Sequence, residues 1–178
     1  QHEQSGPVFP VQQKVEKYIP ADHIFDTSDL VKIFGIQYKV LYHNGGDYWS
    51  LTGHQHSVLR QFNWIYYGLS DLRDGSQSRN SLNYLRVYEP DFEHTNKVRP
   101  SEDRIYYRWA MFFEKLKSCH FGVEVSSKDN LRNRLREFIG PMEEYVYGEI
   151  DNIVDVFAVN LESKSAVKLS TQFGSGMT

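Results

Sequence analysis

At 178 residues the chain suits a single domain, one that buries roughly 70% of its unfolded surface and needs neither disulfides nor a metal to fold. The single Cys119 excludes an intramolecular disulfide and a cysteine-rich zinc site, and a net charge of −3 gives no bulk electrostatic case for a nucleic-acid or membrane partner. No apolar run approaches the ~20 residues that span a bilayer.

Residues 1–10 carry two prolines and no periodicity, and read as a flexible arm. Residues 11–173 read as the domain, and 174–178 as a flexible tail. The chain opens on Gln1 and shows no signal-peptide pattern, so a processed product or an excised fragment is expected. One cysteine and no Asn-x-Ser/Thr sequon lean toward a reducing compartment.

Asp26-Thr27-Ser28-Asp29 reads as a helix start, with Gly35 ending a short helix after Phe34. Residues 36–43 and 47–52 then alternate around Asn44-Gly45-Gly46, the strongest short-range hairpin signal, and predict two antiparallel strands. Val58, Phe62, Ile65, Leu69 and Leu72 recur at helical spacing and predict a helix over 57–72. Leu82 to Tyr88 reads as a strand. Pro100-Ser101 followed by acids predicts a long helix with Ile105, Trp109, Phe112 and Leu116 inward. A strand is expected at 121–125. Ser126-Ser127 then caps a helix with Leu131, Leu135 and Phe138 inward, stopped by Gly140-Pro141. Residues 142–152 fit a helix. Two alternating strands, 154–161 and 166–173, close the chain around Glu162-Ser163-Lys164-Ser165. The fold class predicted is α+β: a single domain, with a mostly antiparallel sheet and three to four helices packed on one face.

His54-Gln55-His56 is the sharpest local pattern. Read on an extended segment, two histidines at spacing two point the same way and suit a metal. Asp91 and His94, with Asp47 and Glu89, are the further ligands such a site would need, although no metal or cofactor is expected. The pair resembles the His-x-His of polynucleotide-nicking nucleases that use a catalytic Tyr, whose central residue is apolar where this chain has Gln55. The loop Glu89 to His94, with Glu114-Lys115-Leu116-Lys117, resembles in order the Asp…Glu-x-Lys of some metal-dependent nucleases. Residues 29–42 resemble a helix-turn-helix in spacing, with Lys39 the one charge for a groove.

Lys128, Arg132, Arg134 and Arg136 make the helix 128–136 basic. Nucleic acid is one partner for it. The six acids of residues 141–162, a stretch without Lys or Arg, are a simpler one. Cys119 beside His120 reads as a structural thiol, because neighbours on a helix do not face each other.

Tyr, Phe and Trp make up 15% of the chain. Tyr66 and Tyr67, adjacent on a predicted helix, cannot both face inward. The same holds for Tyr106 and Tyr107. These four, with Arg132 and Arg136, are the candidate contact residues. The function expected is a non-catalytic binding or assembly module that contacts a protein partner or copies of itself. The alternatives are a metal-dependent enzyme acting on nucleic acid or phosphate esters through His54, His56 and the 89–94 loop, and a nucleic-acid binder using the basic helix.

Overall fold

A computed structural model describes residues 8–11, 30–73, 82–118, 120–143, 154–162 and 165–171. The chain is an α+β fold. Its described elements are β1 (Val8–Val11), β2 (Val31–Lys39), β3 (Trp49–Ser50), α1 (Gly53–Leu59), β4 (Ile65–Ser70), a 3-10 turn (Leu82–Tyr84), β5 (Leu85–Tyr88), β6 (Lys97–Val98), α2 (Trp109–Lys117), β7 (Val123–Val125), α3 (Lys128–Glu143), β8 (Val154–Asn160) and β9 (Ser165–Thr171). Two compact units divide them: residues 1–35 with 122–178, and residues 36–121. Strand β2 gives its first half to one unit and its second half to the other.

In the first unit β1 runs parallel to β9, β8 and β9 pair antiparallel from Val154↔Thr171 to Asn160↔Ser165, and β7 pairs antiparallel with Val31 to Ile33. Residues 8–10, expected to lie at the end of the arm, are therefore part of strand β1, which runs Val8–Val11. Pro10 is compatible with that assignment at a sheet edge, where a missing N–H costs no ladder bond. The closing hairpin forms where the sequence predicts it, although β8 is buried on both faces, with Phe157 alone of its residues half-buried. Val154, Val156 and Ala158 are buried, and the Phe34 ring stacks on Phe157 at 5.0 Å between centroids.

Helix α3 begins where Ser127 predicts. Its hydroxyl accepts the Asn130 N–H at 3.1 Å, and the Asn130 side chain accepts the Ser126 N–H at 3.1 Å. This reciprocal pairing satisfies two donors that the first turn leaves open. Ser127→Ala should cost about 1 kcal/mol, read as a lowered urea midpoint; an unchanged midpoint would show that the cap contributes nothing. Leu131 and Leu135 are buried as expected. The helix continues through Gly140 and Pro141 to Glu143 instead of stopping there, since a proline so near the end removes only one backbone bond. Residues 144–152, the rest of the expected 142–152 helix, lie outside the described residues.

The predicted helix ending at Phe34 is strand. All nine residues of β2 are buried, including Lys32, Gln37 and Lys39. Because both faces are covered, the adjacent apolar residues Ile33 and Phe34 are both buried, and they interrupt the alternation that distinguishes strand from helix. Gly35 sits inside this strand and ends nothing. The helix-turn-helix reading of 29–42 falls with it.

In the second unit β4 pairs antiparallel with β5, from Tyr67↔Tyr88 to Ser70↔Leu85. The helix predicted over 57–72 is instead α1, a turn, and strand β4. The helical spacing of Val58, Phe62, Ile65, Leu69 and Leu72 arises by coincidence. The run Ile65-Tyr66-Tyr67-Gly68 carries the β-branched and aromatic content of a strand, and every β4 residue is buried. Tyr66 and Tyr67 consequently point to opposite faces. The Tyr66 ring meets Phe112 of α2 at 4.9 Å and Phe121 at 5.5 Å, whereas the Tyr67 ring lies over His56 of α1 at 5.8 Å. Helices α1 and α2 thus contact β4 from opposite sides.

The Asn-Gly hairpin is present but short. Tyr42 and Tyr48 exchange backbone bonds of 2.8 and 2.9 Å around the turn, where Gly45 and Gly46 take φ of 78° and 98°. Strand β3 then leaves this partner and pairs with β6, Trp49 opposite Val98. The long helix predicted from Ser101 begins only at Trp109. Before it, Arg99 and Glu102 lock a turn: the Glu102 carboxylate accepts the Arg99 N–H at 2.8 Å, and the Glu102 N–H reaches the Arg99 carbonyl at 3.0 Å. Tyr107 then exchanges two backbone bonds with Val87, at 2.8 and 2.9 Å. A segment so engaged with a β-strand cannot also be helix. Phe112 and Leu116 face inward as predicted, and Ile105 does not.

Candidate functional site

The paired histidines sit on α1, not on an extended segment. Two residues apart on a helix, side chains diverge by about 200°. His54 is exposed and His56 is buried, so they do not converge.

His56 spends both ring nitrogens inside the protein. Nε2 stands 2.7 Å from the Phe92 carbonyl, which only accepts, so Nε2 carries the proton. Nδ1 is then the acceptor for the Tyr67 hydroxyl at 2.9 Å. Phe92 packs on the imidazole at 4.8 Å, and the His94 ring lies 5.6 Å away. Burial lowers the His56 pKa, with smaller contributions from His94 and Arg60, while the Phe92 carbonyl and Glu93 oppose the shift. Burial also pushes the Tyr67 phenol well above its ordinary value. Both groups are therefore neutral at physiological pH. This pair joins α1 to β4 and leaves neither imidazole nitrogen for an outside ligand.

The other expected ligands do not complete a metal site. Asp91 and His94 are exposed, and His94 Nε2 is directed to the Leu51 carbonyl at 3.4 Å. Burial and the neighbouring Asp91 raise the Glu89 pKa. Asp47 is engaged by His43 on the hairpin turn. Among the described residues no three His, Cys, Asp or Glu side chains are grouped to hold a metal ion. Glu114, the acid in the second half of the nuclease-like order, pairs with Lys117 at 3.1 Å on helix α2.

On the basic helix, Arg132 bonds Asp129 at 3.1 Å within α3, and Arg136 is exposed. Asp155, one of the acids expected to face this helix, is fully buried in β8. Glu144, Glu149 and Asp151 lie outside the described residues, as does Cys119.

Tyr66 and Tyr67, two of the four candidate contact tyrosines, are core residues. Strand geometry removes the premise that one of them must face out, because here both faces are covered. Tyr106 is exposed as expected, and Tyr107 is half-buried against Phe121 at 5.2 Å. Among the described residues the exposed large apolar side chains are Tyr42, Tyr84, Ile105, Tyr106 and Met111. Ile105 is 80% exposed and Met111 53%.

Around Tyr106 this exposure gathers into a site. Asp71, just past β4, holds two arginines: Arg86 Nε at 3.2 Å and an Arg108 terminal nitrogen at 2.7 Å. Arg86 also donates to the Pro100 carbonyl at 3.1 Å. Its guanidinium lies 4.7 Å from the centroid of Tyr106 and 5.4 Å from that of Trp49, with Arg108 5.6 Å from Tyr106. Trp49 is fixed from below by a 2.7 Å bond to the Ser70 carbonyl. The Asp71 N–H bonds the Tyr84 carbonyl at 2.9 Å, which brings the exposed Tyr84 to the border of the same cluster. Ile105 precedes Tyr106 in the chain, and Met111 follows in the first turn of α2.

No family model, curated protein or solved structure matches this chain. No helix among the described residues is long and apolar enough to cross a membrane.

Proposed function

We propose that this chain is a non-catalytic binding or assembly module whose contact surface centres on Ile105, Tyr106 and Arg108, with Tyr84 and Met111 at its border. The observation that carries this reading is the 80% exposure of Ile105 beside a tyrosine whose ring centroid lies 4.7 and 5.6 Å from two guanidinium groups. A solitary exposed isoleucine is ordinary. Here it stands with an exposed aromatic ring and a cation already ordered by Asp71, so little side-chain entropy remains to be lost on docking. The partner is a protein, or another copy of the chain. The engagement of both His56 nitrogens favours this over a catalytic use of the histidine pair.

Site-specific photo-crosslinking tests the reading. A photoreactive residue at position 105 should capture a discrete protein species, or a second copy at twice the chain mass, and the same probe at exposed Ser57 should not. Ile105→Asp should abolish an association measured by light scattering. Equal labelling from positions 105 and 57, or none from either, would remove the proposal.

A further inference from the structure

On the Tyr106 surface two guanidinium groups share one carboxylate. One oxygen of Asp71 accepts Arg86 Nε at 3.2 Å, and the other accepts an Arg108 terminal nitrogen at 2.7 Å. Backbone pairing brings these side chains together. Tyr106 and Arg108 flank the Tyr107–Val87 bridge on one segment, and Arg86 and Tyr88 flank it on β5. Residues two apart on extended chain share a face. The Tyr106 ring accordingly meets the Tyr88 ring at 5.6 Å and the Arg86 guanidinium at 4.7 Å. The two arginines are not equivalent. Arg86 gives a second donor to the Pro100 carbonyl at 3.1 Å, and its side chain is 17% exposed. The Arg108 guanidinium makes no other hydrogen bond among the described residues, and its side chain is 45% exposed. Two cations on one anion leave one positive charge uncompensated, and the unspent donors belong to Arg108. The neighbouring charges along the chain offset one another. Exposed Arg73 follows Asp71, exposed Asp103 precedes Ile105, and Arg104 is paired with Glu102 at 2.8 Å.

The planar fork of an arginine matches a carboxylate. Beside it, the exposed parts of Tyr106 and Tyr84 call for apolar cover. Nucleic-acid phosphates would meet the charge and leave that apolar surface wet. A second copy of the chain, docked through the same patch about a two-fold axis, would set one positive surplus against the other, because such an interface apposes a surface to itself. Given that this face is the contact surface of the module, on which the assignment depends, we propose that it docks a segment of a different protein, in which an Asp or Glu meets Arg108 and an apolar neighbour covers Tyr106.

Selection from a displayed random-peptide library on the immobilised full chain tests this, followed by fluorescence anisotropy of an enriched peptide. Enriched peptides should carry Asp or Glu next to a large apolar residue. The analogue with Asn or Gln at that position should bind about tenfold more weakly. Arg108→Gln should weaken the acidic peptide by a similar factor and erase its advantage over the amide analogue, a coupling that a merely structural role for Arg108 would not produce. Light scattering should show no self-association that Ile105→Asp removes. Apolar peptides without an acid, lost on Ile105→Asp, would overturn the acidic partner and leave the contact surface standing. So would a second copy captured from position 105. Acidic peptides that bind Ile105→Asp and Arg108→Gln as they bind the unaltered chain would sink both. The acidic partner is also overturned if the library yields no enrichment, or if an oligonucleotide displaces the peptide and itself requires Arg108.

Discussion

Gly68→Ala should destabilise the protein by about 1–3 kcal/mol, the range for forcing one extra methyl into a filled core. The backbone itself permits alanine, since Gly68 is not among the glycines at positive φ. The obstacle is space: a Cβ built there meets Ile36 Cγ2 at 2.6 Å and Leu85 Cδ1 at 3.2 Å. Ile36 is β-branched and buried in β2, so its methyl has no easy retreat. The gain of about 0.4–1 kcal/mol from a stiffer unfolded chain acts in the opposite direction and is smaller. A double-mutant cycle with Ile36→Ala isolates the clash. Ile36→Ala alone should cost about 2–5 kcal/mol through its cavity, and the double variant should be more stable than the sum of the two losses by at least about 1 kcal/mol. Strict additivity would show that the close contact is not what makes glycine necessary.

Stability should also fall on acidification through His56. Folding lowers the pKa of this imidazole, so the native state disfavours the proton that the unfolded chain accepts. The sign follows directly: the contribution is complete above the unfolded value near 6.5, and it is lost as pH falls from there through the lowered native value. Within that window one proton accounts for a slope of at most about 1.4 kcal/mol per pH unit. The main cause is burial, which penalises the charged ring; protonation would also turn the Nδ1 acceptor into a donor. A protonated ring has two donors, and the Tyr67 hydroxyl would have to give up donating and turn its lone pair to the ring. The groups facing the imidazole are Tyr67, His94, Arg60 and Glu93. Urea midpoints measured from neutral pH downward should decline more steeply in the unaltered chain than in His56→Gln, which cannot titrate. Tyr67→Phe should cost about 1–3 kcal/mol at neutral pH by leaving a buried nitrogen without its donor. Parallel pH profiles for the unaltered chain and His56→Gln would assign the acid sensitivity to another group.

Where local chemistry decides an outcome, the sequence shows it. Ser127 caps α3, Asn44-Gly45-Gly46 makes the turn, and the alternation after residue 154 becomes the closing hairpin. Leu131, Leu135, Phe112 and Leu116 take the inward positions that their spacing assigns. The α+β class follows from these elements together.

The misreadings have distinct physical origins. Strands β2 and β4 are buried on both faces, so adjacent apolar residues such as Ile33-Phe34 and Ile65-Tyr66-Tyr67 break strict alternation, and a helical spacing can be read into them. One error in β4 propagates to the candidate site. If 57–72 were helix, one of Tyr66 and Tyr67 would face solvent; as strand, each enters a separate layer of core. His54 and His56 fail to converge for the converse reason, because the segment read as extended is helical. The exposure of Ile105 follows from a long-range backbone pairing between Tyr107 and Val87, which displaces the start of α2 by several residues.

The amino-acid sequence alone determines the excess of aromatic rings, and it determines the Ser127 cap, the glycine turn and the last hairpin, since each of these depends on neighbours within a few residues. Which rings are covered, which nitrogens of His56 are spent, and which tyrosines remain for a partner depend on contacts between distant segments. Burial is a property of the packed layers on both sides of a strand, and no local pattern records how many layers there will be.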